Sequence, residues 1–363
     1  MSETQKLRFG WTTGSCATAA SLAAFAVLCG ELCPDPVTIT LPRGERVAFA
    51  LAGQDSGPGW ASACVVKDAG DDPDVTHGAL VQAVLRPLPP GAGVVFRAGP
   101  GVGMVTRPGL PIPPGEPAIN PVPRRMITDN LAAFAAALGI GLDVEVEIGI
   151  EGGAELALKT LNPRLGVVGG LSVLGTTGIV VPFSCAAWID TIHRGIDVAR
   201  AIGLSHVAGA TGRSSEEAVQ KAFGLPDPAL IDMGDFVGGM LKYLRAHPVP
   251  RVTIAGGIGK LTKLAQGRLD LHSKRGGVDF AALAALAGGL GATSAQMAAI
   301  EGANTAVEAL ALAAPLDLAL CVAERAWQVA RDVLDPADIA LDVMVFDPRG
   351  GLLAECHGRN RRG

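Results

Sequence analysis

Val249-Pro250-Arg251-Val252-Thr253-Ile254-Ala255-Gly256-Gly257-Ile258-Gly259-Lys260 is the stretch on which the fold turns. Val249 to Ala255 is a short apolar run rich in β-branched residues, the pattern of a buried strand. It runs into a glycine turn that opens a helix, and open parallel sheets bind ligands at such junctions. The turn is not a Walker A loop, because Ile254 stands where the first glycine belongs and Leu261 follows Lys260. It also misses GxGxxG, with Thr262 in place of the third glycine. A nucleotide-like ligand fits this junction better than an ordinary dinucleotide or triphosphate.

Working outward, the second half keeps one rhythm. Ala186 to Ile202 predicts a helix, His206 to Ala210 a strand, and Thr211-Gly212-Arg213 a turn into a helix capped by Ser214 or Ser215. Ala229 to Met233 predicts a strand and Asp235 to Leu244 a helix; several short helices then fill 281–334 before a final strand, Ile339 to Phe346. Such alternation predicts a mostly parallel sheet with helices on both faces. The first half reads differently. Val37 to Leu41 and Arg46 to Leu51 are short strands around a Pro/Gly turn, and helices run over Ser15 to Leu28 and Arg124 to Leu138, the latter ended by Gly139. Leu142 to Ile150 alternates as a strand, with Val144, Val146 and Ile148 on one face. The expectation is α/β and α+β in two domains. Residues 1–182 form an α+β domain with short strands, and residues 183–363 a Rossmann-like domain with a mostly parallel sheet.

Composition excludes several classes. The 363 residues carry 30 basic and 35 acidic side chains, net −5, with no basic block, so nucleic acid is not an expected partner. Apolar stretches are short, and Leu22 to Cys29 cannot span a bilayer. No leader pattern opens the chain, and the expectation is a soluble cytoplasmic protein with no membrane partner. Seven cysteines occur without CxxC, and only six histidines, so no protein-bound metal is expected. HExxH and GxSxG are absent, which leaves zinc-protease and serine-hydrolase readings without support.

Chemistry concentrates in Lys67-Asp68-Ala69-Gly70-Asp71-Asp72-Pro73-Asp74-Val75-Thr76-His77, four carboxylates, an amine and an imidazole in eleven residues. Gly70 and Pro73 make it a loop. Crowded like charges are either satisfied by Lys67 and backbone N–H groups, or they bind or transform something. Glycine turns at 99–103, 166–170 and 175–178 can bring backbone close to a ligand. Arg124 and Arg125 open a helix against its dipole, so an anion should compensate them. Asn162-Pro163-Arg164 sets another arginine on a stiff turn, where bidentate binding of a carboxylate is favoured.

Taken in order, the words Thr12-Thr13-Gly14-Ser15-Cys16-Ala17, Val65 to Gly78, Glu116 to Arg124, Thr160 to Gly166, Gly169 to Val180, Gly257 to Leu261 and His272-Ser273 resemble the cobalt-precorrin-5B (C1)-methyltransferase family, CbiD. The resemblance covers nearly the whole chain. It implies transfer of a methyl group from S-adenosylmethionine, as cosubstrate, to ring carbon C1 of a small-molecule tetrapyrrole in cobalamin biosynthesis, with neighbouring corrin-pathway enzymes as the other admissible partners. The acceptor would be a carboxylate-rich macrocycle. On this reading His77, Asp68 and Asp72 are the catalytic candidates. Lys67, Asp71, Asp74, Thr76, Asn120, Arg124, Asn162, Arg164, Thr176 and Thr177 are the substrate-side candidates. Gly209, Thr211, Gly212, Gly256, Gly257, Gly259 and Lys260 are the donor-side candidates. Arg124, Arg164 and Lys260 suit anionic arms, which the loop carboxylates would repel. Two departures stand out, Gly257 where the family pattern has His and Leu271 where it has Thr. The alternatives are a non-catalytic tetrapyrrole carrier and a nucleotide-dependent small-molecule enzyme.

Overall fold

The computed structural model describes residues 7–358, and it is a mixed α/β structure with several sheets. It divides into two units, Met1–Ser184 and Cys185–Gly363. No helix among the described residues is long and apolar enough to cross a membrane.

The first unit contains β1 (Gly10–Trp11), α1 (Thr13–Leu28), β2 (Val37–Thr40), β3 (Arg46–Phe49), β4 (Gly53–Gly57), β5 (Trp60–Val66), β6 (Leu80–Pro87), β7 (Val94–Ala98), β8 (Met104–Val105), α2 (Pro121–Leu138), β9 (Val144–Ile150), α3 (Gly153–Ala157), α4 (Asn162–Leu165), β10 (Val167–Val168) and β11 (Ile179–Val180). Its main sheet has the order β4-β5-β6-β9-β7, antiparallel except for β7 beside β9. The alternation of β9 works as its sequence predicts. Val144, Val146 and Ile148 enter a core shared with α1 and α2. On the other face Glu145 and Glu147 pair with Arg86, and Glu145 also with Arg97, cross-strand charge pairs that suit a wet surface. Small side chains let α1 sink in so far that it is buried on all sides to Ala26. Helix α2 begins at Pro121 rather than at Arg124, since proline is favoured in a first turn whose N–H groups have no partners.

The second unit contains α5 (Cys185–Ala201), β12 (His206–Ala210), α6 (Arg213–Phe223), β13 (Leu230–Asp232), α7 (Val237–Ala246), β14 (Arg251–Gly257), α8 (Ile258–Ala265), α9 (Phe280–Gly289), α10 (Ser294–Glu301), α11 (Ala306–Leu312), α12 (Leu318–Leu334), β15 (Ala340–Phe346) and β16 (Leu352–His357). The sheet order is β13-β12-β14-β15-β16, and every neighbouring pair is parallel except β15 and β16. From β12 the chain steps outward to β13, then returns to the other side of β12 as β14. The strand order therefore reverses between β12 and β14, whose carboxyl ends flank a crevice of the kind that binds ligands. Residues of α5, α7, α8 and α12 pack on one face of the sheet, and Val219 of α6 on the other.

Three sequence expectations change here. Helix α6 is capped by Gly212, not by Ser214 or Ser215, and the Ser215 hydroxyl instead donates to the Gly212 carbonyl at 2.8 Å. Among the helices of 281–334, α12 is 17 residues long, its buried Val322, Ala323, Ala326 and Ala330 spaced as one apolar face. Strand β16 follows Phe346 unannounced, because an exposed edge strand carries little apolar alternation.

Candidate active site

The acidic loop lies between β5 and β6, and each of its four carboxylates has a partner. Asp68 is gripped by the Arg8 guanidinium, Nη2 donating at 2.9 Å, and by the Gly70 N–H at 2.9 Å. The hydrogen bond from Arg8 and that from Gly70 pull its carboxyl down to about 2. The Arg8 N–H donates to Asp71 at 2.6 Å, and the Phe183 N–H to Asp72 at 2.8 Å. Asp74 accepts from the Thr76 N–H at 2.8 Å and from its hydroxyl at 2.6 Å, while the Lys67 ammonium bonds both Asp74 and Thr76. Burial pushes the Asp74 carboxyl up, but the Lys67 charge and these hydrogen bonds outweigh it and hold it below its ordinary value. Lys67 is 2% exposed, an ammonium sunk under the loop and neutralised there.

His77 is half exposed. Its Nδ1 accepts the Ala69 N–H at 3.1 Å and lies 3.8 Å from Asp68 Oδ1. The neutral ring therefore carries its proton on Nε2, which offers a donor rather than a lone pair.

The motif words of the first unit meet around this loop. The Trp11 N–H donates to the Asp68 carbonyl at 2.7 Å, and β1 pairs with β11 through Gly10–Val180 and Trp11–Ile179. Gly10 is forced by contact, since a Cβ there would run into the Ala69–Gly70 backbone. Thr12 caps α1 by accepting from the Ser15 N–H at 3.2 Å, and the Ser15 hydroxyl donates to the Gly178 carbonyl at 2.5 Å. Gly14 donates to the Leu174 carbonyl at 3.1 Å and faces Pro123 at the start of α2. Thr177 folds on itself through the Ile179 carbonyl at 3.0 Å, and Thr176 adjoins it on the same turn. Phe9, Val75, Leu174, Val181 and Phe183 on these segments all stay exposed. Phe183 has a φ of 56°, unusual for a residue with a bulky side chain.

The arginine and asparagine candidates sit farther out. Arg124 donates to the carbonyls of Ile119 at 2.8 Å and Pro117 at 3.1 Å and to Glu116 at 3.2 Å, so Glu116 supplies the compensating anion. Asn120 is the cap residue of α2, its N–H on the Val173 carbonyl at 2.9 Å. Asn162 accepts from Ser172 at 3.0 Å, and Arg164 lies in the last turn of α4 with its carbonyl held by Arg107 at 2.8 Å.

In the second unit the donor-side candidates gather at the reversal of strand order. The Thr211 N–H donates to the Ala255 carbonyl at 3.0 Å, tying the two loops together. The glycines divide into two kinds. Gly209 and Gly256 are packing glycines, since a Cβ would strike Met240 at the first and Leu261 and Thr211 at the second. Gly212, Gly257 and Gly259 have nothing within 4 Å where a Cβ would stand, so backbone faces open space. At Gly257, where the family pattern has histidine, a Cβ would meet nothing within 4 Å. Leu271 is fully buried, and its carbonyl accepts from Lys263 at 3.0 Å and Lys260 at 3.3 Å. The Lys260 ammonium also pairs with Asp235, which no motif in the sequence marks as a site residue. Asp235 lies just beyond β13, and only the sheet order brings it to α8. Burial lowers the Lys263 ammonium below its ordinary range. No group of three or more potential metal ligands occurs among the described residues.

Comparison with known proteins places these arrangements in a family. The family model CbiD matches residues 1–182, and the model of the CbiD C-terminal domain matches residues 270–357. A Methylorubrum extorquens protein named cobalt-precorrin-5B C(1)-methyltransferase is 61% identical over 355 residues, 97% of this chain and 98% of its own. A protein of the same name from Paramagnetospirillum magneticum is 58% identical over 98% of this chain and all of its own length. A 1.9 Å crystal structure of a cobalamin biosynthesis protein (cbiD) from Archaeoglobus fulgidus matches with a TM-score of 0.41 and 29% identity, over 74% of this chain and 83% of that one. With both halves matched and identity near 60% along almost its full length, this chain belongs to the CbiD family.

Proposed function

We propose that this protein transfers a methyl group from S-adenosylmethionine to ring carbon C1 of precorrin-5B, cobalt-bearing or metal-free, giving the corresponding precorrin-6A in cobalamin biosynthesis. The observation that carries this is near-60% identity over almost the whole length to proteins named for that reaction. We assign residues 183–363 to a Rossmann-like domain on the donor side and residues 1–182 to the substrate side, in a cytoplasmic enzyme that meets its corrin-pathway neighbours through small-molecule intermediates.

The donor-side residues fit the cosubstrate. Gly212, Gly257 and Gly259 leave backbone exposed at the N-termini of α6 and α8, and Lys260, in the first turn of α8, pairs with Asp235. When bound, the sulfonium supplies an electrophilic methyl carbon. What the chain must add is alignment and exclusion of water, which carry most of the acceleration in such a displacement. On the substrate side the exposed apolar side chains around the acidic loop suit a flat ring, and Arg164 suits one of its acidic arms. Asp68 and Asp72 act from their paired positions by fixing the loop, and His77 donates from Nε2 to an acceptor atom of the macrocycle.

The test is an anaerobic turnover of purified protein with S-adenosylmethionine and the C1-unmethylated precorrin, with and without cobalt, followed by mass spectrometry of the macrocycle. Donor-dependent gain of one methyl group supports the proposal and reports the metal state used. Macrocycle binding without methyl gain would turn the reading to a carrier, and binding of ATP with magnesium in place of the sulfonium to a nucleotide-dependent enzyme.

A further inference from the structure

On the far side of β12 from β14, the carboxyl end of β13 carries an acidic and an aromatic side chain that the glycine loops do not explain. Strand β12, the Thr211-Gly212 turn, α6 and β13 form a βαβ unit, with β12 and β13 parallel and adjacent. Asp232 ends β13 directly opposite Ala210, the last residue of β12, twenty positions after Gly212. In nucleotide-binding sheets that position carries the carboxylate that accepts hydrogen bonds from ribose hydroxyls. Asp235, three residues on, pairs with Lys260 at the start of α8.

Trp188 of α5 stands beside it. The indole N–H donates to the Asp232 carbonyl at 3.1 Å, the ring lies against Gly234, and Phe236 sits 6.4 Å away at 52°. Three contacts hold the ring, yet 46% of Trp188 is exposed. A fixed, half-open indole next to a ribose-reading carboxylate is a stacking surface for a purine.

We propose that Asp232 and Trp188 hold the adenosine half of the methyl donor, Asp232 accepting from the ribose hydroxyls and Trp188 stacking on adenine. The inference rests on the methyl-donor reading above. It assigns the two residues that choose a ligand bearing adenosine over sulfonium ligands that lack it.

The experiment is calorimetric titration of the full chain with S-adenosylhomocysteine and with its 2′,3′-dideoxyribose analogue, alongside tryptophan fluorescence. Asp232→Asn should weaken S-adenosylhomocysteine about tenfold while leaving the dideoxy analogue within about twofold, because the variant loses a charged acceptor only where a hydroxyl is present to use it. Trp188→Leu should weaken both ligands about tenfold and abolish ligand-induced quenching. Unchanged affinity in either variant, or an equal loss of both ligands in Asp232→Asn, overturns the assignment. Wild-type protein that binds no S-adenosyl compound overturns the methyl-donor reading itself, and the assignment with it.

Discussion

Lys67 offers the sharpest test of how the acidic loop is built. Its ammonium is 2% exposed and its contacts run to Asp74 and Thr76. Lys67→Met would leave the Asp74 carboxylate with only the two Thr76 donors in a setting where burial already works against its charge. Breaking a buried ion pair by removing one partner costs about 3–5 kcal/mol. The Asp74 side chain keeps 24% of its surface in water, so the low end applies, about 3 kcal/mol. Hydrogen–deuterium exchange of peptides covering β5 and β6 reads this locally, and 3 kcal/mol is a factor of roughly 150 in exchange rate. Adding Asp74→Asn removes the stranded charge and keeps an acceptor for Thr76, so the double variant should return to within about 1 kcal/mol of wild type. The pair also sets an acid limit. The Asp74 carboxyl is lowered in the folded protein, so its contribution is present above the ordinary value of 3.8 and fades as pH falls through the native one. If the single and double variants exchange equally fast, the loop does not depend on neutralising Asp74 and the reasoning fails.

Three further outcomes are expected. His77→Ala should lower kcat for methyl transfer about a hundredfold, as for a half-exposed donor acting on the substrate, and cost about 1 kcal/mol in urea melts because the Ala69 N–H loses its acceptor; an unchanged kcat removes His77 from the mechanism. Gly212→Val should leave thermal stability within about 0.5 kcal/mol and weaken donor binding about tenfold, whereas Gly256→Ala should cost about 1–3 kcal/mol through the clash with Leu261 and Thr211. Equal stability losses in calorimetric melts would erase the distinction between open and packing glycines. In the second unit His357 Nδ1 bonds Asp342 at 2.8 Å, and this hydrogen bond raises the imidazole above its usual 6.5. Its stabilisation is complete below that value and is lost as pH rises through the raised one. Melting temperature should therefore fall across that window in wild type and stay flat in His357→Gln; parallel curves would count against the linkage.

The parallel strands were legible because each is a short apolar run, and the α6 turn and the β14–α8 junction fell where the glycines put them. The antiparallel β16 was not, since Glu355 and His357 give it the polarity of a tail. The acidic loop stood out from its own residues, but its partners did not. Arg8 lies 60 positions from Asp68 and Phe183 lies 111 from Asp72, and no local pattern encodes such pairings. The same limit hid the two kinds of glycine. Gly209 and Gly212 look alike in sequence, and only Met240, packed across from the first, separates them. Asp232 and Trp188, 44 positions apart, meet only because α5 packs beside β13.

The pairing of β1 with β11 has a consequence for synthesis on the ribosome. Gly10 must wait for Val180, and until then Arg8 and Trp11 have no strand to hold them against Asp68, Asp71 and the loop. At about 5–20 residues per second that interval is roughly nine to thirty-four seconds. During it β5, β6 and α1 can assemble from nearer neighbours, so the acidic loop is the last part of the first unit to become ordered. A nascent chain stalled before Ile179 would carry a formed sheet and an unfinished loop, open to proteases at residues 68–77.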